Sequence, residues 1–209
     1  PTIIAPLTAA WETVKAKAMT HLERGQTEAA RKLLKGFHHQ LCTIRILDPA
    51  CGSGNFLYVA FEHLKRLEGE VLTFLGDLGE HTRLELAGVT VDPHQLLGIE
   101  VNPQAAVISD MVLWIGYLQW HFRTHGNIMP PTPVIRKFRN VECRDAVLAW
   151  DATEPLLDGD GEPITRWDGA TFKKHPVTGE DVPDETAQIE IEELIEPRQA
   201  AWPEAEFIV

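Results

Sequence analysis

Three observations predict an α/β fold of the doubly wound type, with a partial, Rossmann-like sheet. Short aliphatic or β-branched runs at 43–47, 95–100 and 140–145 read as strands. Long stretches with apolar residues at helical spacing separate them. The first strand runs directly into a glycine turn that opens a helix, and sheets built this way bind ligands at the carboxyl ends of their strands.

Each element follows from its own residues. Trp11, Val14, Ala18 and Leu22 recur at helical spacing and predict a helix over 8–23, broken by Gly25. Thr27 can cap a second helix over 28–37, with Gly36 and the polar pair His38 and His39 ending it. After the glycine turn a long helix starts near Asn55, with Phe56, Val59, Ala60, Leu64 and Leu67 as its predicted buried face and Gly76 and Gly79 near its end. The stretch 84–92 reads equally as a strand pair or a loop excursion. Asn102-Pro103 opens the next helix, with Asn as cap and Pro at the first helical position, and the apolar pattern carries it to about Arg123. That helix is apolar nearly all round, which predicts cover on more than one side. A Pro-rich loop follows at 129–133. Beyond residue 150 the character changes to turn signals such as Asp158-Gly159-Asp160-Gly161, predicting one hairpin and a short helix around 189–195. Ala205 to Val209 reads as the start of a fourth core strand. The predicted organisation is therefore 1–150 as the main part with its N-terminal helices, 151–203 as an acidic insertion, and 204–209 as the beginning of a truncated strand.

Composition excludes several classes. The chain has 209 residues, 44% of them hydrophobic, enough for one domain with a core. No apolar run is long enough to span a membrane, and no secretory leader is visible at the N-terminus. Three cysteines without a C-x-x-C pair argue against a zinc site and for a reduced, cytoplasmic setting. The net charge of −12 is uneven: residues 1–150 hold 15 acidic and 15 basic side chains, whereas 151–209 hold 16 and 4. An acidic segment repels a phosphate backbone, so the last sixty or so residues are not a DNA-gripping surface.

The chemistry concentrates in Asp48-Pro49-Ala50-Cys51-Gly52-Ser53-Gly54-Asn55-Phe56. Glycines allow a sharp turn and close approach of a ligand, and the helix that follows presents unpaired backbone N–H groups. Asp48 repels a diphosphate and attracts a cationic amino-acid tail. The spacing is not G-x-G-x-x-G and there is no Walker lysine, which disfavours NAD and ATP. Glu100 closes the second strand, where a carboxylate can accept ribose hydroxyls. Asp145 follows the third. His121 and His125, four apart on a helix, lack a third metal ligand at suitable spacing, and Trp114, Trp120 and Phe122 read as core rather than as a stacking platform. Cys51 reads as a small packing residue.

The nine-residue run resembles motif I of the S-adenosylmethionine-dependent DNA methyltransferases, in the form found in adenine-N6 enzymes of combined restriction–modification and phage-defence proteins. The resemblance implies S-adenosylmethionine as cofactor. It places Asp48, Pro49, Ala50, Cys51, Gly52, Gly54, Asn55 and Phe56 around the methionine end, Glu100 on the ribose and Asp145 on the adenine amino group. It also implies methyl transfer to adenine N6 of duplex DNA, with DNA held by regions outside this chain and with recognition or nuclease domains in the parent protein. The family's Asn/Asp/Ser-Pro-Pro-aromatic catalytic motif is absent: Pro130-Pro131 lies between Met129 and Thr132, and the chain stops at Phe207-Ile208-Val209, where the strand leading to that motif would be. The N-terminal Phe/Tyr-Thr-Pro cofactor motif is absent as well. No catalytic residue and no metal ligand is therefore assigned. An RNA or protein methyltransferase fragment, or a cofactor-binding module without catalysis, is the alternative.

Overall fold

A computed structural model describes residues 3–79, 89–128 and 140–209. In chain order the helices are α1 (Ile4–Glu23), α2 (Thr27–Thr43), α3 (Asn55–Asp77) and α4 (Pro103–His125). The strands are β1 (Ile46–Asp48), β2 (Leu96–Glu100), β3 (Val141–Cys143), β4 (Leu148–Ala149), β5 (Ala152–Pro155), β6 (Thr165–Trp167), β7 (Phe172–Lys174), β8 (Asp181–Pro183), β9 (Gln188–Glu190), β10 (Glu192–Ile195), β11 (Arg198–Gln199) and β12 (Phe207–Ile208). The chain divides into two compact units, Pro1–Ala146 with Trp202–Val209, and Val147–Ala201.

The first unit is built on a four-stranded sheet of order β12-β1-β2-β3 in which every pair is parallel. Ile46 lies opposite Leu96, and Glu100 opposite Cys143, so the carboxyl ends of β1, β2 and β3 are aligned on one edge. Side chains alternate across the strands as the pleat requires. Ile46 and Leu96 join the helical core, while Leu47, Leu97 and Ile99 form a small separate cluster with Ala146 and Ala205. The helical core holds Leu7 and Trp11 of α1, Leu34, Phe37 and Leu41 of α2, Leu57, Phe61, Leu64 and Leu75 of α3, and Leu113 and Tyr117 of α4. Trp11 is 1% exposed, stacks on Phe37 at 5.5 Å and donates its Nε1 hydrogen to Glu70 Oε2 at 2.8 Å.

Several expectations are corrected. α2 does not stop at Gly36 but runs to Thr43, because Leu34, Phe37, His38 and Leu41 are all buried. A helical glycine costs only about 1 kcal/mol, less than one buried apolar side chain stabilises. The buried stripe of α3 is Leu57, Ala60, Phe61, Leu64, Leu67, Val71 and Leu75, and the predicted members Phe56 and Val59 are 37% and 48% exposed. α4 is covered on one side only: Val107, Ile108, Met111 and Ile115 are exposed. The start of that helix agrees with its sequence, since Asn102 Oδ1 accepts from the Gln104 and Ala105 amides at 2.9 and 3.3 Å. Most of the 84–92 stretch and the Pro-rich loop lie outside the described residues.

The second unit contains no helix among its residues. β5 pairs with β10, β4 with β11, β6 with β9 and β7 with β8, each pair an antiparallel two-stranded ribbon. The helix expected around 189–195 is β9 followed by β10, whose residues are exposed or half-buried. Only Ala200 of this unit is a buried apolar residue. Backbone ladders and aspartate-capped turns hold it instead. Asp168 Oδ1 accepts from the Ala170 and Thr171 amides at 2.9 and 2.8 Å, and Asp158 Oδ1 from those of Asp160 and Glu162 at 2.9 and 3.0 Å. Thr186 and Lys173 bond to Asp184 and hold its carboxyl down at about 2.

Candidate functional site

The candidate site lies at the aligned carboxyl ends of β1, β2 and β3. Asp48 ends β1, and its Oδ1 accepts from the Ala50 amide at 3.1 Å, fixing the start of the turn. The Cys51 amide donates to Ile99 O at 3.1 Å, which carries the turn across the top of β2. Gly52 and Gly54 have φ of 54° and 77°, the left-handed region that side chains with a Cβ avoid. The Gly54 amide donates to Cys51 O at 2.8 Å and closes the turn, and Gly54 then serves as the N-cap of α3.

The two glycines differ in what surrounds them. A Cβ on Gly54 would stand 2.3 Å from Ser109 Oγ and 3.1 Å from Ser109 Cα, so Gly54 permits α4 to pack against the turn. A Cβ on Gly52 would meet nothing within 4 Å. The backbone at Gly52 therefore faces open space, and no side chain caps the N-terminus of α3. A turn backbone open to the outside, next to an uncapped helix start, has the form of a seat for a carboxylate-bearing small ligand. Asn55 and Phe56 sit at that helix start, both exposed, while Pro49 and Ala50 form the outer shoulder of the turn.

Glu100 ties β2 to this turn. Its Oε2 accepts from the Gly52 amide at 2.8 Å and its Oε1 from the Asn102 amide at 2.8 Å. Each carboxylate oxygen has a second lone pair, so two acceptor positions remain for hydroxyls of a ligand. Sequence reasoning located Glu100 but not its bond to Gly52, which depends on the register of β1 against β2. Gly98, on β2 between them, is required by packing: a Cβ there would stand 2.6 Å from Cys51 Sγ and 3.2 Å from Val141 Cγ2. Cys51 is 6% exposed, and burial pushes its thiol above the ordinary range, opposed by the neighbouring Ser109 hydroxyl. A protonated, enclosed thiol packs and does not attack.

Asp145 is half-buried two residues beyond β3, and its carbonyl accepts from Arg144 Nη1 at 3.3 Å. The Arg144 amide donates to Glu100 O at 3.0 Å and so extends the β2–β3 ladder toward Asp145. Asp48, Gly52, Gly54 and Glu100 are thus joined by direct bonds or by the turn itself, and Asp145 follows Arg144, whose amide bonds to Glu100 O. A groove of about 680 Å³, lined by Ile3, Thr8, Val59 and His63 among others, meets the turn through Phe56 alone.

Asp110 was not anticipated. It lies on α4 beside β3, its Oδ1 is buried with no hydrogen-bond partner, and burial pushes its carboxyl up to about 6 against the opposing bond with the Val141 backbone. No sequence signal marks it, because a single Asp in an apolar helix reads as a solvent-facing residue. His121, considered as a metal ligand, bonds through Nε2 to Ile128 O at 2.8 Å, while the side chain of His125 lies outside the described residues. Trp114 and Trp120 pack on the core as expected, whereas Phe122 is 37% exposed.

The sequence model of the family described as MmeI, DNA-methyltransferase domain, matches residues 22–205. The chain belongs to that family. DNA methyltransferase A of Bacillus subtilis is 32% identical over 108 residues, which are 50% of this chain and 12% of that protein. A putative type II restriction enzyme and methyltransferase of Methanocaldococcus jannaschii is 26% identical over 123 residues, 57% of this chain and 10% of that protein. The chain thus spans about a tenth of the length of these relatives. The structure of the type IIL restriction–modification enzyme MmeI in complex with DNA matches with a TM-score of 0.51 at 24% identity, over 69% of this chain and 18% of that one, and supports the fold. The glycine turn and Glu100 are therefore parts of a DNA methyltransferase domain, a family whose members draw on a methyl donor. No helix among the described residues is long and apolar enough to cross a membrane.

Proposed function

We propose that this chain is the S-adenosylmethionine-binding part of a methyltransferase domain that acts on adenine N6 in duplex DNA. The bond from the Gly52 amide to Glu100, across the open face of the glycine turn, carries the reading. It sets a ribose-binding carboxylate beside the seat for an amino-acid tail. Asp48 favours the ammonium and sulfonium charges of the cofactor, the α3 N-terminus takes its carboxylate, and Asp145 accepts from its adenine amino group. Pro49, Ala50, Cys51, Gly54, Asn55 and Phe56 shape the seat. The parallel sheet is the beginning of a Rossmann-like class I methyltransferase sheet, and 151–203 is an acidic insertion between its third and fourth strands.

When bound, the cofactor supplies the methyl group. This chain's own residues bind and orient it, and the target base would be held by regions outside this chain, because no Asn/Asp/Ser-Pro-Pro-aromatic sequence is present. Duplex DNA would be gripped and read by regions outside this chain, in a cytoplasmic restriction–modification protein. The test is calorimetric titration of S-adenosylhomocysteine into the wild type and Glu100→Gln, together with tritiated methyl transfer to mixed DNA. Binding by the wild type, at least tenfold weaker in the variant, with no methyl transfer by either, is the expected result. Removing one charged acceptor contact costs about 1.5–3 kcal/mol, which corresponds to that factor or more. Equal binding by both proteins overturns the role of Glu100, and methyl transfer above a no-enzyme blank overturns the assignment of the catalytic group to regions beyond this chain.

A further inference from the structure

α4 is apolar on two faces, and the fold covers one of them. Ala106, Ser109, Leu113, Tyr117 and His121 are buried and turn inward. On the other side Ile108, Met111, Ile115, Leu118 and Phe122 follow one another at alternating steps of three and four residues. That spacing is the seam of a coiled coil, narrower than the face a helix turns to a globular core. Met111 and Ile115, at the middle of the seam, are 56% and 49% exposed. Ile108 and Phe122 are exposed as well, Leu118 is half-buried, and exposed Val107 widens the seam at its start.

The seam carries no charge, and that selects its occupant. Asp110 and Arg123 are the only Asp, Glu, Lys or Arg residues of α4. Asp110 is half-buried beside β3, and Arg123 comes after the last seam residue. A helix surface that stays in water ordinarily carries its charges on the outer side. Without cations, the seam offers nothing to pair with the phosphates of a nucleic acid. Helices that lie on a membrane carry Lys and Arg along their polar face, and this one does not, in a chain whose net charge of −12 repels anionic lipid. A second apolar helix with the same spacing is what fits.

The seam is its own complement. In an antiparallel pair Met111 stands opposite Ile115 and Ile108 opposite Leu118, so that large apolar side chains meet and no like charges do. The opposed directions also set the positive end of each helix beside the negative end of the other. We propose that this face joins two copies of the chain as an antiparallel α4–α4 pair, with a two-fold axis between Met111 and Ile115. Such an interface presents the same patch on both copies. The half-exposed side chains of two seams amount to on the order of 1,000 Å², the lower end of specific interfaces. A reversible dimer with Kd on the order of 10 µM is therefore expected. The pairing does not rest on the cofactor reading.

The test is sedimentation equilibrium of the full chain under reducing conditions, from about 1 to about 100 µM. The wild type should show a monomer–dimer equilibrium. Met111→Glu and Ile115→Lys should each weaken association on the order of a hundredfold or more, since each puts a charge twice into a closed apolar seam. Both positions are exposed, so helical circular dichroism of the diluted monomers should match the wild type. An equimolar mixture of the two variants should recover the dimer, because antiparallel pairing sets the new carboxylate of one copy against the new ammonium of the other. A wild type that stays monomeric over this range, or a dimer that survives both substitutions, overturns the interface. A mixture that stays monomeric overturns the antiparallel pairing.

Discussion

Alanine at Gly52 and at Gly54 should differ in consequence, although the two glycines are two residues apart in one turn. Both have positive φ, 54° and 77°, so each alanine incurs the left-handed strain of roughly 1–2 kcal/mol. At Gly52 nothing further is met, since the new methyl points into open space. At Gly54 the methyl would lie 2.3 Å from Ser109 Oγ and 3.1 Å from both Ser109 Cα and Cβ. The hydroxyl can rotate away, but the Cα is backbone of α4 and cannot. Overpacking of this kind adds about 1–3 kcal/mol. Gly54→Ala should therefore lose about 2–5 kcal/mol in all, and Gly52→Ala about 1–2 kcal/mol. Urea unfolding followed by helical circular dichroism suits the comparison, because all the described helices belong to the first unit. On S-adenosylhomocysteine the order reverses: Gly52→Ala, folded and only mildly weakened, should lose binding because its methyl fills the ligand's space. Equal destabilisation by the two alanines would refute the packing argument, and wild-type affinity in Gly52→Ala would refute the placement of the ligand over Gly52.

Further perturbations test the surrounding contacts. Gly98→Ala drives a methyl to 2.6 Å from Cys51 Sγ and should cost about 1–3 kcal/mol, partly recovered when Cys51→Ala removes the sulfur, as a double-mutant cycle in urea would measure. Asp110→Asn tests a pH dependence whose sign follows from burial: the folded carboxyl titrates near 6 against an ordinary 3.8, so the ionised form is the disfavoured one. The wild type should then lose stability relative to Asp110→Asn as pH rises from about 4 through about 6, and match it below that window; Tm values that run parallel from pH 4 to 7 would refute this. Duplex DNA of random sequence should bind weakly at physiological salt, given the net charge of −12, and tight binding in a filter or anisotropy assay would contradict that.

How much of this was legible follows from whether a feature's causes lie close together in the chain. The turn from Asp48 to Phe56 was readable because the residues that give it its backbone course are contiguous, with glycines where φ is positive, an acid before them and a helix start after, although Ile99, Glu100 and Ser109 also hold it. The Asn102 cap was readable for the same reason. Phe207 and Ile208 form β12, which pairs in parallel with β1. The buried face of α3 was misread because its apolar residues outnumber the positions that face the core. Phe56 and Val59 are as apolar as Leu57 and Phe61, and only the packing of the neighbouring helices and strands decides between them. The second unit was misread because its strands are two to four residues long, too short for alternation to establish a period.

The Lys65–Glu68 pair marks the limit of local reading most clearly. On sequence alone these are two charges three apart on a helix, an ordinary solvent-facing arrangement. In the fold both are 1% exposed, and their partners come from α2, from Thr90 and Val91, and from Trp120 of α4. Desolvation alone would neutralise such groups, and it pushes the Lys65 ammonium below its usual range. Yet Glu68 is held below the ordinary carboxylate range, because bonds from His38, Lys65 and Thr90 outweigh the burial that would raise it. Each partner is ordinary alone, and their convergence requires α2, α3 and α4 to be packed together first. The same contacts hold the segment that leads through Asp92 into β2, and so bear on where Glu100 stands relative to the turn. Charge placed this deep is a consequence of the fold, and a sequence read element by element cannot reveal it.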